Sequence, residues 1–450
     1  MDLVKILFGR APFYPQIRNF QHLVEAIVAV VKYGYPARDL TVIGVTGTDG
    51  KTTVVNLIGA ILQEAGFKVA IISSINAYIG DKTIDTGFHV TTPDAGDLQR
   101  LLKQAKNSAV THVVLETTSH GLDQHRVFGC NFKYGVLTNI AHEHLDYHKT
   151  FERYQIAKAK LFRRVKVAVL NSDDPSYELI QKFAGRAKII SYGLTKQATI
   201  VGKNVNLDIR GTRFLIREEK SEVNIITPLL GEFNVLNILA AAGLARTLGI
   251  NWDDITRAIA NFKGLPGRLE RIKNTSGLTI FVDFAHTPNA LAELLKLMQK
   301  IKPKGAKMIV VFGSAGERDK AKRKLMGEIA VGFADFSVLT AEDPRTENVE
   351  DIIDQITRGI RQNAKVWDGQ TDWRKSGRWF IRVPERGEAI AFAIQKLAQK
   401  DDIVLLCGKG HEKSMAYGKK EYPWSDQEAV QAALNGRVKR VSVTVTKPVS

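Results

Sequence analysis

With 450 residues the chain is too long for one ordinary hydrophobic core, so we expect two or three domains. Its 44% hydrophobic and 25% charged residues are typical of a soluble globular protein, and two distant cysteines exclude a disulfide framework and a zinc ribbon, which indicates a reducing cytoplasm. The net charge of +17 comes from Lys and Arg spread along the chain without a nucleic-acid-binding signature, so we expect phosphate-rich small-molecule ligands and no nucleic acid.

The N-terminal part of the chain, residues 1–40, holds one apolar segment at residues 20–31. No stretch reaches the roughly 18–20 apolar residues of a transmembrane helix, and the segment lacks a small-residue cleavage site. We interpret it as a helix packed on the following domain. A peripheral contact with a membrane, supported by Lys5, Arg10, Arg18 and Lys32, is the alternative.

A strand-and-helix alternation begins with a β-branched run at residues 40–45 and an apolar helical pattern over residues 53–65. Further short strand candidates follow, separated by helical stretches, at residues 69–73, 113–115, 135–138 and 167–170. The alternation predicts a parallel, doubly wound sheet. Residues 199–229 are charged and alternating, which predicts a small antiparallel meander, and a helix is expected over residues 234–248.

A glycine-rich turn joins the first strand candidate to the first helix at residues 44–53, the context that a phosphate-binding loop requires. Its backbone amides and the helix N-terminus direct partial positive charge at phosphate oxygens. We expect Lys51 to bridge the β- and γ-phosphates and the Thr52 hydroxyl to bind Mg²⁺. The loop is a variant, because the strict pattern places a glycine where Val45 stands and this chain has Gly47 instead.

Residues 263–268 concentrate Gly and Pro between periodic segments and mark the best domain boundary. The predicted fold class is α/β. A short N-terminal helical segment (1–40) precedes a central P-loop-type domain with a mostly parallel sheet (41–266), and a Rossmann-like α/β domain follows (267–450). Strand candidates in the last domain lie at residues 279–283, 308–312, 336–340 and 403–407.

The variant loop at residues 47–53 resembles that of the Mur ligases and their relatives, the folylpolyglutamate synthetases. Further segments appear in the order typical of the Mur ligases that make UDP-N-acetylmuramoyl-tripeptide. These segments are residues 91–93, 116–126, 138–139, 142–148, 157–162, 231–237, 266–270, 283–288, 316–319, 342–345 and 408–412. The match covers roughly residues 41–430.

The resemblance implies an ATP- and Mg²⁺-dependent ligase with four catalytic side chains. Lys51 would act on the transferred phosphoryl group. Metal ligands would be Thr52, Glu116, His144 and, once carbamylated, Lys158, although a lone His is more often structural. Nucleotide contacts are expected from Gly47, Thr48, Asp49, Gly50, Lys51, Thr52, Thr53, Asn237, Arg268, Asp283 and His286.

The implied reaction joins an amino acid to a UDP-MurNAc-dipeptide-like carboxylate through an acyl phosphate, in peptidoglycan precursor synthesis. Acceptor contacts are expected from Thr91, Thr92, Thr118, Gln124 and Arg126. Contacts with the incoming amino acid are expected from Arg318, Glu342, Asp343, Arg345, Gly408 and Glu412. We expect these small molecules as the only partners, and a monomer.

Two departures from the family pattern affect the substrates. Residues 342–345 are Glu-Asp-Pro-Arg, where diaminopimelate-adding members usually have Asp-Asn-Pro-Arg. Arg345 favours the distal carboxylate of diaminopimelate, whereas the extra charge at Asp343 favours a cationic side chain such as that of lysine. Lys51 also lies too near the start for the family's separate N-terminal UDP-binding domain, so we expect that domain to be lacking.

Four alternatives remain open at the level of sequence. A folylpolyglutamate synthetase-like glutamate ligase also begins almost at its phosphate-binding loop. The Mur-like subunit of a cell-wall amidotransferase typically has a four-cysteine ribbon, which two distant cysteines cannot supply. A non-catalytic Mur-like scaffold and a basic nucleic-acid binder belong to different functional classes. The intact Lys51, Thr52, Glu116, His144 and Lys158 argue against a decayed catalytic site, and salt-sensitive binding to DNA without ATPase activity would favour the binder.

Overall fold

The computed structural model describes residues 14–442, except 81, 85–90, 196 and 361–362, and leaves out the side chains of residues 14–16 and 145–146. Lys5 and Arg10 therefore lie outside the described residues. Contacts divide the chain between Lys263 and Gly264 into two units, which we describe separately. The finer division at residues 40/41 and 266/267 stays a prediction.

The N-terminal unit alternates helices and strands. Its helices are α1 (Tyr14–Lys32), α2 (Lys51–Glu64), α3 (Ala95–Asn107), α4 (Ser119–Asp123), α5 (Leu145–His148), α6 (Phe151–Ala159), α7 (Tyr177–Ala184), α8 (Glu232–Thr247) and α9 (Trp252–Asn261). Its strands are β1 (Thr41–Thr46), β2 (Val69–Ile72), β3 (Ala77–Ile79), β4 (Lys82–Ile84), β5 (His112–Glu116), β6 (Tyr134–Leu137), β7 (Val167–Asn171), β8 (Lys188–Gly193), β9 (Ile200–Asp208), β10 (Gly211–Glu218) and β11 (Ser221–Thr227).

These strands form one sheet in the order β11-β10-β9-β8-β7-β6-β1-β5-β2-β3-β4. The strands from β9 to β2 pair in parallel, and both edges of the sheet are antiparallel. Central strands such as β1 and β5 are buried along almost their whole length, as expected for a sheet covered on both faces. The predicted parallel sheet and the antiparallel meander are both confirmed.

Strand register brings three carboxyl ends to one edge of this sheet. Val45 in β1 pairs with Glu116 in β5, and Thr46 pairs with Leu137 in β6. The loops that follow β1, β5 and β6 therefore leave the sheet side by side. Ligands of open parallel sheets bind at this edge, so the topology predicts a binding site beside these three loops.

Helix α1 packs on α3, which confirms the predicted packing of the apolar N-terminal segment. Ala26, Ala29 and Val30 are buried on the inward face of the helix. The opposite face exposes the large apolar side chains Phe20, Val24, Ile27, Val28 and Val31. Within the part of the chain that the structure describes, no helix has the length and apolar character needed to cross a membrane.

The C-terminal unit is a second α/β layer structure. Its strands are β12 (Glu270–Ile272), β13 (Thr279–Asp283), β14 (Met308–Phe312), β15 (Phe336–Leu339), β16 (Lys365–Val366), β17 (Trp379–Arg382), β18 (Ile403–Cys407), β19 (Ser414–Tyr417) and β20 (Lys420–Pro423). Its helices are α10 (Pro288–Ile301), α11 (Ala321–Phe333), α12 (Val349–Ile360), α13 (Arg386–Phe392) and α14 (Asp426–Leu434).

The main C-terminal sheet has the order β12-β13-β18-β14-β15-β17-β16, parallel except for β12. The predicted Rossmann-like α/β unit is confirmed, with four strands at or within one residue of their predicted bounds. The sequence interpretation did not include β12, β16 and β17. Strand β16 has only two residues, both exposed, so it carries no apolar pattern of its own.

A buried ion pair connects the second sheet to its flanking helices. Arg386 and Asp426 are both fully buried and form a bidentate pair, with Nε–Oδ1 and Nη2–Oδ2 distances of 2.7 and 2.6 Å. Trp424 also donates to Asp426. Two further guanidinium hydrogens go to the carbonyls of Ala341 and Cys407, which lie just after β15 and at the end of β18. The pair therefore fixes the carboxyl edge of this sheet.

We predict that Asp426→Asn destabilises the C-terminal unit by about 3–5 kcal/mol, because the buried guanidinium loses its counter-charge. Chemical denaturation measures the change. Glu293→Gln is the matched control, because it removes one member of the Glu293–Lys296 pair, whose side chains are both 55% exposed. That variant should lose less than about 1 kcal/mol. Equal losses in the two variants would contradict a special role for the buried pair.

Candidate functional site

The turn between β1 and α2 has a backbone that only glycine adopts without strain. Gly47 and Gly50 have φ angles of 156° and 80°. A Cβ atom on Gly47 would collide with the Thr138 hydroxyl, and one on Gly50 would collide with the side-chain oxygen of Asn237. Both glycines thus allow the turn to lie against α8 and the end of β6, leaving a cradle of backbone amides at the start of α2.

Polar contacts hold this loop in place from the segment after β6. Asn139 accepts from the Asp49 amide through its side chain (2.9 Å) and from the Thr48 amide through its carbonyl (2.8 Å). The Thr138 hydroxyl donates to the Asp49 carbonyl at 2.6 Å. Lys51 folds over the loop and donates to the Thr48 carbonyl at 2.8 Å. The predicted nucleotide contacts 47–53 and Asn237 are therefore brought together.

A buried carboxylate faces the start of α2. Glu116, at the end of β5, is only 2% exposed. Its carboxylate accepts from the Thr52 hydroxyl at 3.1 Å and from the Ser74 amide at 3.0 Å, and the Thr52 and Ser74 hydroxyls lie 3.0 Å apart. One carboxylate with two hydroxyls is the oxygen donor set that Mg²⁺ prefers beside phosphates. Across the described residues, no three His, Cys, Asp or Glu side chains converge as a metal cage.

Lys158 is buried against the same loop. Its Nζ atom donates to the Gly47 carbonyl at 2.5 Å and lies 4.6 Å from the centre of the Tyr154 ring. Burial, with the nearby Lys51 charge adding to it, holds the pKa of Lys158 well below its ordinary value. A lysine with a depressed pKa has more of the neutral amine that reacts with electrophiles.

His144 belongs to a cluster of rings beside Lys158. Its backbone φ is 55°, its side chain is 45% exposed, and Glu143 lies 3.7 Å away. The His144 ring is 4.9 Å from that of His120 and 6.1 Å from that of Tyr154. Buried His148 lies in the same cluster, and burial lowers its pKa to about 4. The structure thus places His144 near the Lys158 side of the loop.

Four of the five predicted acceptor residues form one hydrogen-bonded group. The Thr92 and Thr118 hydroxyls lie 3.0 Å apart, and Thr92 also donates to the backbone carbonyl of Glu116 at 3.1 Å. Arg126 donates to the Thr92 carbonyl at 3.1 Å and to the Gln124 side chain at 3.0 Å. Thr91 precedes the group in the chain and is partly buried.

In the C-terminal unit, the predicted nucleotide contacts surround Phe284. The Arg268 guanidinium lies 4.6 Å from the centre of the Phe284 ring, and His286 Nδ1 lies 2.8 Å from the Phe284 carbonyl. The Asp283 carboxylate accepts from the amides of Leu269 (2.6 Å) and Ala285 (2.8 Å). Desolvation raises the pKa of Asp283, partly offset by the Arg268 charge. Arg268, Asp283 and His286 are thus grouped.

The predicted amino-acid contacts centre on Lys409, which is 1% exposed. Its Nζ atom donates to Asp343 at 2.8 Å and to Glu412 at 2.6 Å. The same Asp343 oxygen also accepts from the Ala416 amide at 2.9 Å. One buried lysine cation is therefore shared between two carboxylates, which balances the charge of Asp343 in part.

Glu342, Gly408 and Arg345 lie around this charge cluster. Glu342 is 5% exposed, burial raises its pKa, and its Oε2 atom has no hydrogen-bond partner among the described residues. A Cβ atom on Gly408 would press against that carboxylate. Arg345 has a φ of 52° and donates to the Gly316 carbonyl at 2.9 Å. Arg318 is exposed on the neighbouring loop and forms no hydrogen bond with the described part of the chain.

The sequence interpretation left out four residues that the structure places in these groups. Asn139 and Lys409 lie inside motifs that were recognised, but neither was assigned a role. Ser74 lies just beyond β2, so the rule that sites collect at the carboxyl ends of parallel strands could have found it. Tyr154 lies one helical turn before Lys158, a spacing that predicts contact between the two side chains.

Comparison with known proteins agrees with this geometry. Residues 45–245 match the family model described as Mur ligase middle domain, and residues 267–410 match that described as Mur ligase, glutamate ligase domain. A UDP-N-acetylmuramoyl-L-alanyl-D-glutamate–2,6-diaminopimelate ligase from Geobacter metallireducens is 38% identical over 92% of this chain and 82% of its own length. The chain belongs to the Mur ligase family. It is therefore an ATP-dependent ligase, as the sequence predicted.

Two solved structures have a similar fold. A structure of a UDP-N-acetylmuramoyl-L-alanyl-D-glutamate–2,6-diaminopimelate ligase has 33% identity and a TM-score of 0.64, and the match covers 88% of this chain and 78% of the other. Folylpolyglutamate synthase from Mycobacterium tuberculosis has 17% identity and a TM-score of 0.69, over 86% of this chain and 92% of the other. At that identity the second likeness shows a shared fold only.

We predict that Gly50→Ala lowers ATP affinity by about tenfold or more, because the left-handed backbone and the Asn237 side chain both oppose a Cβ atom. Isothermal titration calorimetry measures the affinity. Gly66→Ala is the matched control, because Gly66 has a φ of 82° but no atom within 4 Å of the added carbon. It should cost about 1 kcal/mol of stability and leave ATP affinity unchanged. Wild-type affinity in Gly50→Ala would contradict the prediction.

His411 should make the stability of the chain fall in acid. Burial, helped by the charges of Arg268 and Lys409, lowers the pKa of His411 to about 3 from an ordinary 6.5. The unfolded chain binds a proton between these values that the folded chain does not, so the stabilisation is complete above pH 6.5 and is lost as the pH falls toward 3.

In the experiment, urea denaturation at pH 7 and pH 4.5 compares the wild type with His411→Gln. The variant should lose about 2 kcal/mol less unfolding free energy between the two pH values, because it lacks the group that titrates. Each protein is compared with itself, so the effect of the substitution at neutral pH cancels. An identical loss in both proteins would mean that His411 titrates alike in the folded and unfolded states.

Proposed function

We propose that this Mur ligase adds 2,6-diaminopimelate to the carboxylate of UDP-N-acetylmuramoyl-L-alanyl-D-glutamate, in peptidoglycan precursor synthesis. The observation that carries the proposal is the double role of Glu116. Its side chain faces the phosphate-binding loop at Thr52, while its backbone carbonyl accepts from Thr92 in the acceptor group. One residue thus connects the phosphoryl donor site with the group proposed to hold the acceptor carboxylate.

In the first step, the acceptor carboxylate oxygen attacks the γ-phosphorus of ATP, the bond to the β-phosphate oxygen breaks, and ADP leaves. Lys51 and the amides of residues 47–52 lie where they can hold the phosphate oxygens and stabilise the charge that builds up on them. Thr52 and Glu116 would supply oxygen ligands for Mg²⁺, with His144 proposed as a further ligand. Bound Mg²⁺ would neutralise charge on the transferred phosphoryl group.

Lys158 has the properties required for carbamylation. Its depressed pKa favours the neutral amine, whose lone pair can attack the carbon of CO2 while one proton leaves to solvent. The modification turns a buried cation into an anion beside the loop. A carbamate at this position would add an oxygen ligand near His144, which is the role that the family resemblance implies.

In the second step, the amine of the incoming amino acid attacks the acyl carbon, the bond to the phosphate oxygen breaks, and a proton leaves the nitrogen. Glu342 offers a carboxylate that can hold the amino group of the amino acid, whereas Glu412, like Asp343, shares the charge of Lys409. The unpartnered Oε2 atom of buried Glu342 supports a polar ligand at this position, because buried carboxylate oxygens are normally paired.

The contacts of Asp343 favour diaminopimelate over lysine. Lys409 and the Ala416 amide both donate to the Oδ1 atom of this carboxylate, so its charge is partly balanced and attracts a cationic side chain less strongly. Arg345 lies two residues further along, in the same segment. Its guanidinium provides the planar donor pair that recognises a carboxylate, which diaminopimelate has at its distal end and lysine lacks.

A phosphate-release assay over pairs of acids and amines tests the proposal. UDP-N-acetylmuramoyl-dipeptide with diaminopimelate should release phosphate at least about tenfold faster than the same acceptor with lysine, because only diaminopimelate presents the distal carboxylate. Tetrahydrofolate with glutamate is measured beside them. Lys51→Ala should reduce the rate at least about a hundredfold, since it removes the loop cation from the phosphoryl group.

Two further variants serve as a control for the Lys51 substitution and as a test of amino-acid preference. Lys68→Ala removes an exposed lysine from the same unit and should keep wild-type activity. Asp343→Asn should still prefer diaminopimelate, because the charge that it removes already pairs with Lys409 and the distal carboxylate is recognised by Arg345. Preference for lysine, or activity with tetrahydrofolate and glutamate alone, would overturn the assigned substrates.

A further inference from the structure

We propose that Tyr154 is a positioning residue that fixes the phosphate-binding loop and Lys158 relative to each other. The inference rests on the proposed function, because it concerns the same loop and the same lysine. Tyr154 is fully buried in α6 and contacts both features with different parts of its side chain. The hydroxyl contacts the loop, and the ring contacts the lysine.

The hydroxyl of Tyr154 lies 3.0 Å from the hydroxyl of Thr48 in the loop. Thr48 also accepts from the Ala141 amide at 2.9 Å and lies 3.3 Å from the Ala141 carbonyl, to which it can donate. With its own hydrogen so engaged, Thr48 has one lone pair left for the Tyr154 hydrogen. Burial raises the pKa of Tyr154, which keeps that hydrogen on the phenol. The phenol therefore fixes Thr48 within the loop.

The ring of Tyr154 defines one side of the space around Lys158. The lysine follows one turn later in α6, and its Nζ atom lies 4.6 Å from the ring centre while donating to the Gly47 carbonyl. An aromatic face attracts a cation and repels an anion. A carbamate formed on Nζ is therefore kept away from the ring, which limits the directions in which its oxygens can point.

The same ring also lies against the histidine segment. The centre of the Tyr154 ring is 5.3 Å from that of His148 and 6.1 Å from that of His144. Tyr154 therefore contacts three parts of the proposed catalytic machinery from one rigid side chain with two rotatable bonds. Loss of the hydroxyl and loss of the ring should have different consequences, and this difference makes the role testable.

Tyr154→Phe keeps the ring and removes the contact with Thr48. We expect KM for ATP, and the dissociation constant of ADP, to rise about tenfold, because the loop loses one of its buried hydrogen bonds. The dependence of kcat on bicarbonate should stay as in the wild type, since the ring still lies beside Lys158. Steady-state kinetics at varied ATP and bicarbonate measure both quantities.

Tyr154→Leu removes the ring as well. We expect kcat to fall at least about tenfold, because Lys158 loses the ring that orients it. The bicarbonate concentration that gives half of the maximal kcat should rise for the same reason. Tyr192→Phe is the matched control. That tyrosine is also buried, and its hydroxyl lies 2.8 Å from the Leu137 carbonyl and 3.3 Å from the Thr138 carbonyl, so it contacts the backbone at the end of β6. It should lower Tm as Tyr154→Phe does, without changing KM for ATP or the bicarbonate dependence.

The outcomes separate this proposal from the proposed function. If the wild type releases no phosphate with any acid–amine pair, the ligase assignment fails, while ADP affinity in Tyr154→Phe still tests the link to the loop. Wild-type ADP affinity in Tyr154→Phe would overturn the role of the hydroxyl. Unchanged bicarbonate dependence in Tyr154→Leu would overturn the role of the ring, and a rise in KM for ATP in Tyr192→Phe equal to that in Tyr154→Phe would overturn the specific role of the hydroxyl.

Discussion

Parallel pairing of β1 with β5 and β6 is the constraint on which the N-terminal unit depends. The register of these strands brings the glycine loop, the Glu116 carboxylate and the Thr138–Asn139 segment to one edge of the sheet. None of these groups is near another in sequence, and a slip of one residue would turn Glu116 to the opposite face. This register lets Glu116 accept a hydrogen bond from Thr52 and lets Thr138 donate one to Asp49. These two bonds position the phosphate-binding loop. The chemistry of the unit therefore depends on backbone pairing that is itself stabilised by a core covered on both faces.

Buried charge has two different roles in this molecule. The Arg386–Asp426 pair is balanced in charge, since the two ions face each other through two hydrogen bonds, and it stabilises the second sheet against its flanking helices. Lys158 and Glu342 are instead incompletely compensated. Burial shifts the pKa of each toward its neutral form. Such groups cost stability unless a ligand, a metal or a modification completes them, and for this reason they mark places where chemistry occurs. The contrast distinguishes buried charges that stabilise the fold from buried ionisable groups that we expect to meet a ligand, a metal or a modification.

Sequence reasoning succeeded for the elements with strong local signals. The strands β13, β14 and β18 were predicted at their observed bounds, since each is a buried apolar run of five residues. It failed to include β16, where two exposed residues carry no apolar pattern. Among site residues, the loop and Glu116 were predicted from motif and strand position. Lys409 was assigned no role, although its ammonium group pairs with the Asp343 carboxylate.

By itself the sequence determined the family, the α/β class and the identity of the phosphate-binding loop, because glycine, lysine and threonine at fixed spacing constrain the backbone locally. Only the tertiary structure decided which partners those residues meet. Asp343 contacts Lys409 across 66 positions of the chain, and Lys158 reaches the Gly47 carbonyl across 111. Whether a charge is free or compensated depends on such distant contacts, and they are set by packing and strand order rather than by neighbours in sequence.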